Sequence, residues 1–457
     1  MLLDINRHSW AVLGKEARLL AALALPMMLA QIASVGVGFV DTVMAGAAGK
    51  DDLAAVALGS SAFSTVYITF LGIMTALNPM ISQLFGAGKH TEVGETGKQG
   101  VWFGMALGLI GMVLLMVSAP LFIWYLNLPE HVENMLGQYL FFISLSMPAA
   151  MLHRALHAYA SSLNRPKLIM WISWAALFLN IPLNYVFVYG KFGMPVFGGA
   201  GCGLASAIVF WFNASTLWLY IKKQNYFKPF GLSGSFSKPN TTVLKQIWRL
   251  GWPIGLSFFL EVSLFSFIVF LIAKFGADHV AAQQIVISLT SIIYMIPQAI
   301  GAATTVRVGY TLGKRQTNRA RYISGVSLIL GFGLAALTIT LLITLRYPLA
   351  GMYTKDMSVI TLAANILLFA AVFQLADFTQ CIASYALRGY KITKAPMIVH
   401  GIAFWGFGLL PGYLLANIGM GIYGFWATLI VSLSSAAIIL VWLLEKHSRT
   451  LTQRNTI

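Results

Sequence analysis

The chain has 457 residues, of which 58% are hydrophobic and only 10% are charged. Its mean hydropathy of +0.78 lies far above the range of soluble domains, so an ordinary soluble fold and a disordered chain are both excluded. The net charge of +16 is compatible with nucleic-acid binding in principle, so the distribution of that charge along the chain decides its meaning.

Long apolar segments recur along the whole chain. A helix needs roughly 20 mainly apolar residues to cross the hydrocarbon core of a bilayer. A β-barrel is disfavoured because these segments are continuous, whereas barrel strands alternate apolar and polar residues. The first segment ends without a convincing signal-peptidase site, so it is predicted to be helix 1 and not a cleaved signal. The sequence predicts an all-α membrane protein with twelve transmembrane helices, at 18–45, 54–82, 101–126, 136–158, 168–189, 203–222, 250–273, 280–305, 322–345, 359–386, 397–416 and 421–444.

The basic residues alternate between successive loops. The even-numbered loops and both termini carry most Lys and Arg, including the stretch from Arg388 to Lys394, while Arg154 and Arg307 are predicted near helix ends. The odd-numbered loops hold only a few, namely Lys50, Lys191, Lys274, Arg346 and Lys355. The positive-inside rule then places both termini in the cytoplasm, which requires an even number of crossings. The charge is therefore a topology signal, and no nucleic-acid partner is predicted.

The second half of the chain repeats the first. Pro26 corresponds to Pro253, and Gly88-Lys89 corresponds to Gly313-Lys314, at a nearly constant offset. A repeat with an even number of helices keeps both copies in the same orientation, so we predict two pseudo-symmetric six-helix lobes. The lobes are predicted at 1–222 and 250–457, with a cytoplasmic linker at 223–249. A substrate path between the halves is the common use of such symmetry, and an ancient duplication without a mechanical role is the alternative.

Three of the 14 acidic residues lie deep inside predicted helices: Asp41, Glu261 and Asp377. Burying a charge there costs about 2.5 to 3.5 kcal/mol on insertion scales, so these side chains are expected to face the bundle interior. No basic residue is predicted at a comparable depth. A proton, a metal cation and a cationic substrate therefore all remain candidates for neutralising the carboxylates, and hydrogen bonding between helices is the purely structural alternative.

Polar and aromatic neighbours predict a cavity around these acids. In helix 8, Gln284, Ser288 and Tyr294 belong to one polar stripe with helical spacing. Phe265 lies one turn from Glu261, which combines an acid with an aromatic ring suited to an organic cation. Ordinary helix packing would also explain part of this pattern.

Several other functions lack their motifs. The segment from Gly86 to His90 has neither the glycine spacing of a phosphate-binding loop nor a Ser or Thr after its Lys, so the energy source is predicted to be an ion gradient. No enzyme motif, clustered metal ligands or channel filter is recognisable. Cys202 and Cys381 are predicted to pack within helices. We predict a transporter with no cofactor, not an enzyme.

The sequence resembles the NorM-type branch of the multidrug and toxic compound extrusion (MATE) family over practically its whole length. The resemblance rests on GFVDTVMAG in helix 1, NIPLNYVFVYGKFG from Asn180, GGAGCG from Gly198, FLEVSLF around Glu261, and LRGYK after helix 10. It implies a V-shaped bundle that exports cationic drugs and dyes in exchange for Na⁺, H⁺ or both by alternating access. It also implies a multi-pass protein in the bacterial inner membrane, and we expect a monomer surrounded by lipid.

The resemblance assigns roles to individual residues. Glu261 and Asp377 match the family's cation-coupling acids and are the predicted Na⁺ ligands. The predicted substrate-binding residues are Asp41, Ser61, Phe265, Gln284, Ser288 and Tyr294. One departure concerns Phe373, because some relatives have Tyr there and this chain lacks that hydroxyl ligand. A lipid-linked substrate flippase of similar architecture is the main alternative, and a non-transporting membrane receptor is the alternative from another class.

Overall fold

The computed structural model describes residues 10–126, 129–232, 234 and 237–454. The described residues before Leu232 form eight α-helices: α1 Trp10–Ala48, α2 Lys50–Met74, α3 Leu77–Gly86, α4 His90–Leu126, α5 Glu130–Ser144, α6 Met147–Ser162, α7 Pro166–Tyr189 and α8 Ala200–Lys223. The later residues form α9 Thr241–Ile272, α10 Ala277–Gly313, α11 Thr317–Gly351, α12 Met357–Gly389, α13 Lys394–Gly401, α14 Leu410–Leu415 and α15 Ile422–Arg454.

These helices give 12 candidate membrane spans among the described residues, which confirms the predicted number. Each predicted span overlaps one of them, and most helices are longer than predicted. For example, the third span was predicted from 101, but α4 begins at His90. Its first turns contain polar residues such as Glu92, which fit a helix end outside the lipid but lower the local hydropathy. Hydropathy therefore detects the apolar core of a helix and misses its polar ends.

The chain forms two compact units. The N-unit comprises Leu29–Gly255, and the C-unit comprises the described residues up to Met28 together with those from Leu256 onward. The predicted lobes, 1–222 and 250–457, differ from these units at both boundaries. The start of α1 groups with the C-unit because its apolar face, including Leu20 and Leu23, is buried in one cluster with Ala303 and Ile323.

The segment predicted as a linker, 223–249, belongs to the N-unit as far as it is described. A short 3₁₀ helix at Asn225–Phe230 packs against α4. Further along, the Gln99 side chain donates to the Lys238 carbonyl at 2.9 Å and accepts from the Asn240 amide at 2.7 Å. Residues 233, 235 and 236 of the predicted linker lie outside the described residues. The described part is therefore docked on α4, whose side chains satisfy backbone polar groups of Lys238 and Asn240.

Close helix packing in the N-unit depends on glycine. A Cβ added at Gly108 of α4 would lie 2.5 Å from the Cα of Pro148, and one added at Gly104 would lie 2.8 Å from the Met151 carbonyl. Both contacts are with the backbone of α6, which cannot yield as a flexible side chain could. Small residues at such positions let membrane helices approach closely, because attraction between them comes mainly from van der Waals packing.

In the C-unit, α12 packs on α10 through a comparable contact. A Cβ at Gly301 would lie 2.7 Å from the Tyr385 ring, and the Thr305 hydroxyl donates to the Tyr385 carbonyl at 2.6 Å. The span after α12 contains two π-helical stretches, Ile402–Leu409 and Ala416–Met420, on either side of α14. The Thr428 hydroxyl of α15 donates to the Gly408 carbonyl at 2.9 Å, so α15 satisfies backbone that is irregular at membrane depth.

Candidate functional site

In the N-unit, Asp41 is enclosed by hydrogen-bond donors from two other helices. Its side chain is 7% exposed. Oδ1 accepts from Asn184 Nδ2 at 2.6 Å and from Asn180 Nδ2 at 3.1 Å, and both asparagines lie on α7. Oδ2 accepts from the Ser206 hydroxyl of α8 at 2.6 Å. Asp41 is therefore part of a cage of neutral donors that stabilises an ionised carboxylate inside the membrane.

Sequence reasoning did not identify the three donors of this cage. Asn180 and Asn184 are four residues apart on α7, fully buried, and linked by a bond from Asn184 Nδ2 to Asn180 Oδ1 at 3.0 Å. Two asparagines at that spacing in an apolar helix are a usable signal, because buried amides require partners. Ser206 gave no such signal, since isolated serines are common at helix contacts.

In the C-unit, Glu261 of α9 and Asp377 of α12 belong to one electrostatically coupled group. The Tyr294 hydroxyl of α10 donates to Glu261 Oε2 at 3.4 Å. Asp377 is 5% exposed, and its Oδ1 accepts from Gln380 Nε2 at 3.1 Å. Two carboxylates that interact electrostatically in a shielded site favour binding of at least one positive charge between them. The structure thus brings together Glu261, Asp377 and Tyr294 from three helices.

The other predicted residues have different surroundings. Phe265 is partly buried against the apolar core of the C-unit, and Gln284 is exposed on α10. The Ser288 hydroxyl lies 3.0 Å from the Tyr353 hydroxyl. Ser61, on α2 of the N-unit, is exposed and donates to its own helix at the Ala57 carbonyl. The hydrogen bonds of Ser61 and Ser288 are thus made to residues outside the predicted set.

Phe373 is buried on α12, one turn before Asp377, and packs edge-on against Trp426 with ring centroids 5.7 Å apart. Trp426 Nε1 in turn donates to Gln283 Oε1 at 2.9 Å. The aromatic ring is thus fixed among apolar neighbours. The position offers no oxygen atom to a cation.

Two basic residues lie deeper than the sequence indicated. Arg388, predicted in a loop, lies within α12 and is 4% exposed. Arg154, predicted near a helix end, lies inside α6, where its Nε and Nη2 donate to the Tyr67 hydroxyl at 3.0 and 2.8 Å. In the C-unit, Arg388 interacts electrostatically with Glu261, although it follows Asp377 by eleven residues along α12. Arg388 was predicted in a loop because α12 continues beyond the apolar stretch that hydropathy detects.

The described residues contain no cluster of three or more His, Cys, Asp or Glu side chains that could hold a transition metal. The C-unit group instead offers oxygen atoms from Glu261, Asp377, Tyr294 and Gln380. The side-chain carbonyl of Gln380 accepts no hydrogen bond from the part of the chain that the structure describes. Oxygen ligands of this kind suit a hard cation.

Comparison with known proteins identifies the family. The MatE family model matches the chain twice, at residues 26–186 and 253–414. "Probable multidrug resistance protein NorM" from Neisseria meningitidis serogroup A / serotype 4A is 66% identical over 454 residues, covering 99% of both chains. A protein of the same name from Chromobacterium violaceum is 48% identical and covers 100% of this chain and 99% of its own.

Solved structures agree with this result. The MATE transporter NorM-NG, solved in complex with a dye and a monobody, has 60% identity, covers 96% of both chains and has a TM-score of 0.83. The eukaryotic MATE transporter AtDTX14 is only 19% identical but has a TM-score of 0.87, which shows the same fold. The chain therefore belongs to the MatE family and is a NorM-type, multi-pass membrane transporter. The double match to the family model, starting at Pro26 and Pro253, also confirms the predicted repeat.

Proposed function

We propose that the chain exports organic cations, including drugs and dyes, in exchange for Na⁺ or H⁺ by alternating access. The names of the relatives refer to multidrug resistance, and the solved NorM-NG complex contains a dye, which supports the export of drugs and dyes. The twelve apolar spans support a transporter buried in lipid. The remaining parts of the proposal concern which ion is exchanged and which residues bind it.

The observation that carries the antiport proposal is the coupled pair of Glu261 and Asp377. Among the described residues, neither carboxylate forms a salt bridge, although the C-unit contains such pairs elsewhere. Two acids that interact with each other cannot both stay ionised at low cost without a bound cation. A site that binds either an inorganic cation or a cationic drug couples their movements, because each ligand excludes the other.

Na⁺ and H⁺ require different states of this pair. Na⁺ binding needs ionised Glu261 and Asp377 together with neutral oxygen ligands, for which Tyr294 and Gln380 are the nearest candidates. Proton binding needs only a carboxylate that accepts the proton and a route for it. Phe373 contributes no oxygen, which weakens a Na⁺ site in comparison with relatives that have Tyr at this position.

We assign drug contact to residues of both units. In the N-unit these are Asp41 and Ser61, and in the C-unit they are Phe265, Gln284, Ser288 and Tyr294. Asp41 already accepts hydrogen bonds from Asn180, Asn184 and Ser206. A drug cation would therefore pair with a carboxylate that these donors already hold in place. Such an arrangement orients the carboxylate in advance and lowers the cost of binding.

The proposed location is the bacterial inner membrane, with both termini in the cytoplasm. It is supported by the excess of Lys and Arg in the even-numbered loops. The proposed functional unit is a monomer in contact with membrane lipid.

The test is ethidium transport by purified protein in proteoliposomes, driven separately by a Na⁺ gradient and by a pH gradient. Glu261→Gln and Asp377→Asn are expected to abolish driven transport while the protein remains folded. Asp278→Asn is the matched control, because Asp278 is an exposed acid in the first turn of α10. Flux with Na⁺ alone would assign the pair to Na⁺, and flux with the pH gradient alone would assign it to protons.

Full export by both variants would refute the site assignment. The absence of ethidium flux in the wild type under either gradient would refute the antiport proposal. In that case, transbilayer movement of a lipid-linked substrate by the same proteoliposomes would favour the flippase alternative.

A further inference from the structure

A polar stripe follows one face of α12 through the C-unit. Gln374, Asp377, Cys381, Ser384 and Arg388 succeed one another at intervals of three or four residues, which places them on the same side of the helix. At 1.5 Å per residue the stripe is about 21 Å long, a large part of the hydrocarbon thickness. All five side chains are buried, with exposures between 0% and 5%.

Several polar atoms of this stripe have no hydrogen-bond partner among the described residues. Both amide atoms of Gln374, the Ser384 hydroxyl and Arg388 Nη1 lack hydrogen bonds, as does the neighbouring side-chain carbonyl of Gln380. Buried polar groups are rarely left unsatisfied, because each costs about 1–3 kcal/mol. Internal water is the usual partner where a site is polar and several such groups converge. The stripe therefore has the chemistry of a hydrated pocket that includes Asp377.

Arg388 lies at the end of this stripe. Among the described residues no acidic side chain forms a salt bridge with it. Its guanidinium carbon is held 4.0 Å from the centroid of the Tyr385 ring and 5.0 Å from that of Phe258. The Tyr385 ring is itself fixed against Gly301 of α10. A buried cation held between two aromatic rings has few alternative positions.

The positive charge of Arg388 influences ionisable groups on neighbouring helices. It interacts electrostatically with Glu261 of α9 and with His400 of α13. Both ring nitrogens of His400 also lack hydrogen-bond partners within the described part of the chain. Among the described residues, the ionisable groups that interact with Arg388 include Glu261, His400, Cys381 and Tyr385.

We propose that the α12 stripe forms a water-filled pocket that delivers the coupling cation to Asp377, and that Arg388 closes the far end of this pocket to cations. The inference rests on the proposed function, because it assumes that Asp377 takes the coupling ion. A fixed positive charge repels a hydronium or Na⁺ ion that approaches along the pocket. The barrier would keep the ion from crossing the membrane without a drug moving in exchange.

The size of the barrier follows from Coulomb's law. We consider a cation that comes within about 10 Å of the Arg388 guanidinium in a medium of effective dielectric constant near 20. The repulsion is then large enough to slow passage of the cation by on the order of tenfold. Removing the charge of Arg388 is therefore expected to raise the leak of protons through the protein by on the order of tenfold.

The experiment measures proton entry into proteoliposomes that contain a trapped pH-sensitive dye, with an imposed pH gradient and no drug. Proteoliposomes with Arg388→Gln are expected to admit protons faster than the wild type. Those with Arg388→Lys are expected to admit protons as slowly as the wild type, because lysine keeps the positive charge. The double variant Arg388→Gln with Asp377→Asn is expected to lose the leak, since the path includes Asp377. Wild-type leak as fast as that of Arg388→Gln would contradict the barrier.

A second measurement needs no variant. Hydroxyl-radical labelling by a short X-ray pulse modifies side chains next to bound water, so Cys381 and Tyr385 should be labelled in the wild type although they are 2% and 6% exposed. Phe425 of α15, which is 0% exposed and lies in an apolar cluster, is the control and should stay unlabelled. Absence of label on Cys381 and Tyr385 would overturn the hydrated pocket.

The outcomes separate this inference from the proposed function. If Arg388→Gln still exports ethidium but shows no added proton leak, the barrier is refuted and antiport stands. If the wild type exports no ethidium under either gradient, the proposed function fails whatever the leak shows.

Discussion

Replacing Glu16 by Gln should destabilise the attachment of α1 to the C-unit. The Glu16 side chain is 4% exposed and accepts from Arg307, which is 14% exposed, and from Arg319 Nη2 at 2.5 Å. Leaving a buried charge without its partner costs about 3–5 kcal/mol, whereas a pair with a half-exposed residue such as Arg319 contributes about 0–1 kcal/mol. Glutamine keeps one acceptor oxygen, so we expect a loss of about 2–3 kcal/mol, mostly from Arg307.

Thermal unfolding of the purified protein in detergent, followed by tryptophan fluorescence, measures this loss. A loss of this size corresponds to a decrease in midpoint temperature of roughly 5–10 °C if the C-unit, with about 150–250 residues, unfolds cooperatively. Lys15→Gln is the matched control, because Lys15 is the exposed neighbour of Glu16 and loses one charge as well. Arg307→Gln should resemble Glu16→Gln, and Arg319→Gln should have a small effect. An unchanged midpoint for Glu16→Gln would refute the reasoning.

Three further predictions concern single contacts, each measured as a change in unfolding midpoint. Gly108→Ala should destabilise the N-unit by about 1–3 kcal/mol, because the added Cβ would meet the α6 backbone. The control Gly333→Ala should cause no such loss, because a Cβ there meets nothing within 4 Å. Equal effects of the two substitutions would contradict this reasoning. Asn184→Leu should cost about 1 kcal/mol by removing a donor to Asp41, compared with no loss for Phe178→Leu on the exposed face of α7. Asp356 caps α12, and hydrogen bonds from Ser358 lower the pKa of its carboxyl. The stability it contributes is therefore fully present above the usual carboxyl pKa and is lost as pH falls from about 4 through the lowered folded-state pKa. Asp356→Ala should be less stable than the wild type at pH 7, and this difference should shrink as pH falls below about 4. Asp356→Asn should keep the cap at every pH, and a wild-type advantage over Asp356→Ala that does not shrink below pH 4 would count against this role.

The class of protein could be read from local properties of the sequence. Hydropathy, helix length and the alternation of basic loops depend on short stretches of chain, so they predicted the twelve spans and the repeat that begins at Pro26 and Pro253. The depth of Asp41, Glu261 and Asp377 within apolar sequence also identified the acids that the structure buries or partly buries. A carboxylate in such a stretch is unusual enough to be noticed without knowledge of its neighbours.

The contacts of those acids depend on residues far apart in the sequence. The separation between Asp41 and its donors is 139 residues for Asn180 and 165 for Ser206. No local pattern specifies such pairs, because they arise only when helices pack with a particular rotation and depth.

Packing also decided the positions that the sequence misplaced. The start of α1 belongs to the C-unit because Glu16 finds its arginines there, and Arg388 is buried because α12 continues beyond its most apolar stretch. The sequence by itself determined which segments enter the membrane and which charges accompany them. Only the tertiary structure decided which of those charges meet, because a helix fixes the spacing of its own side chains but not the neighbours that they face.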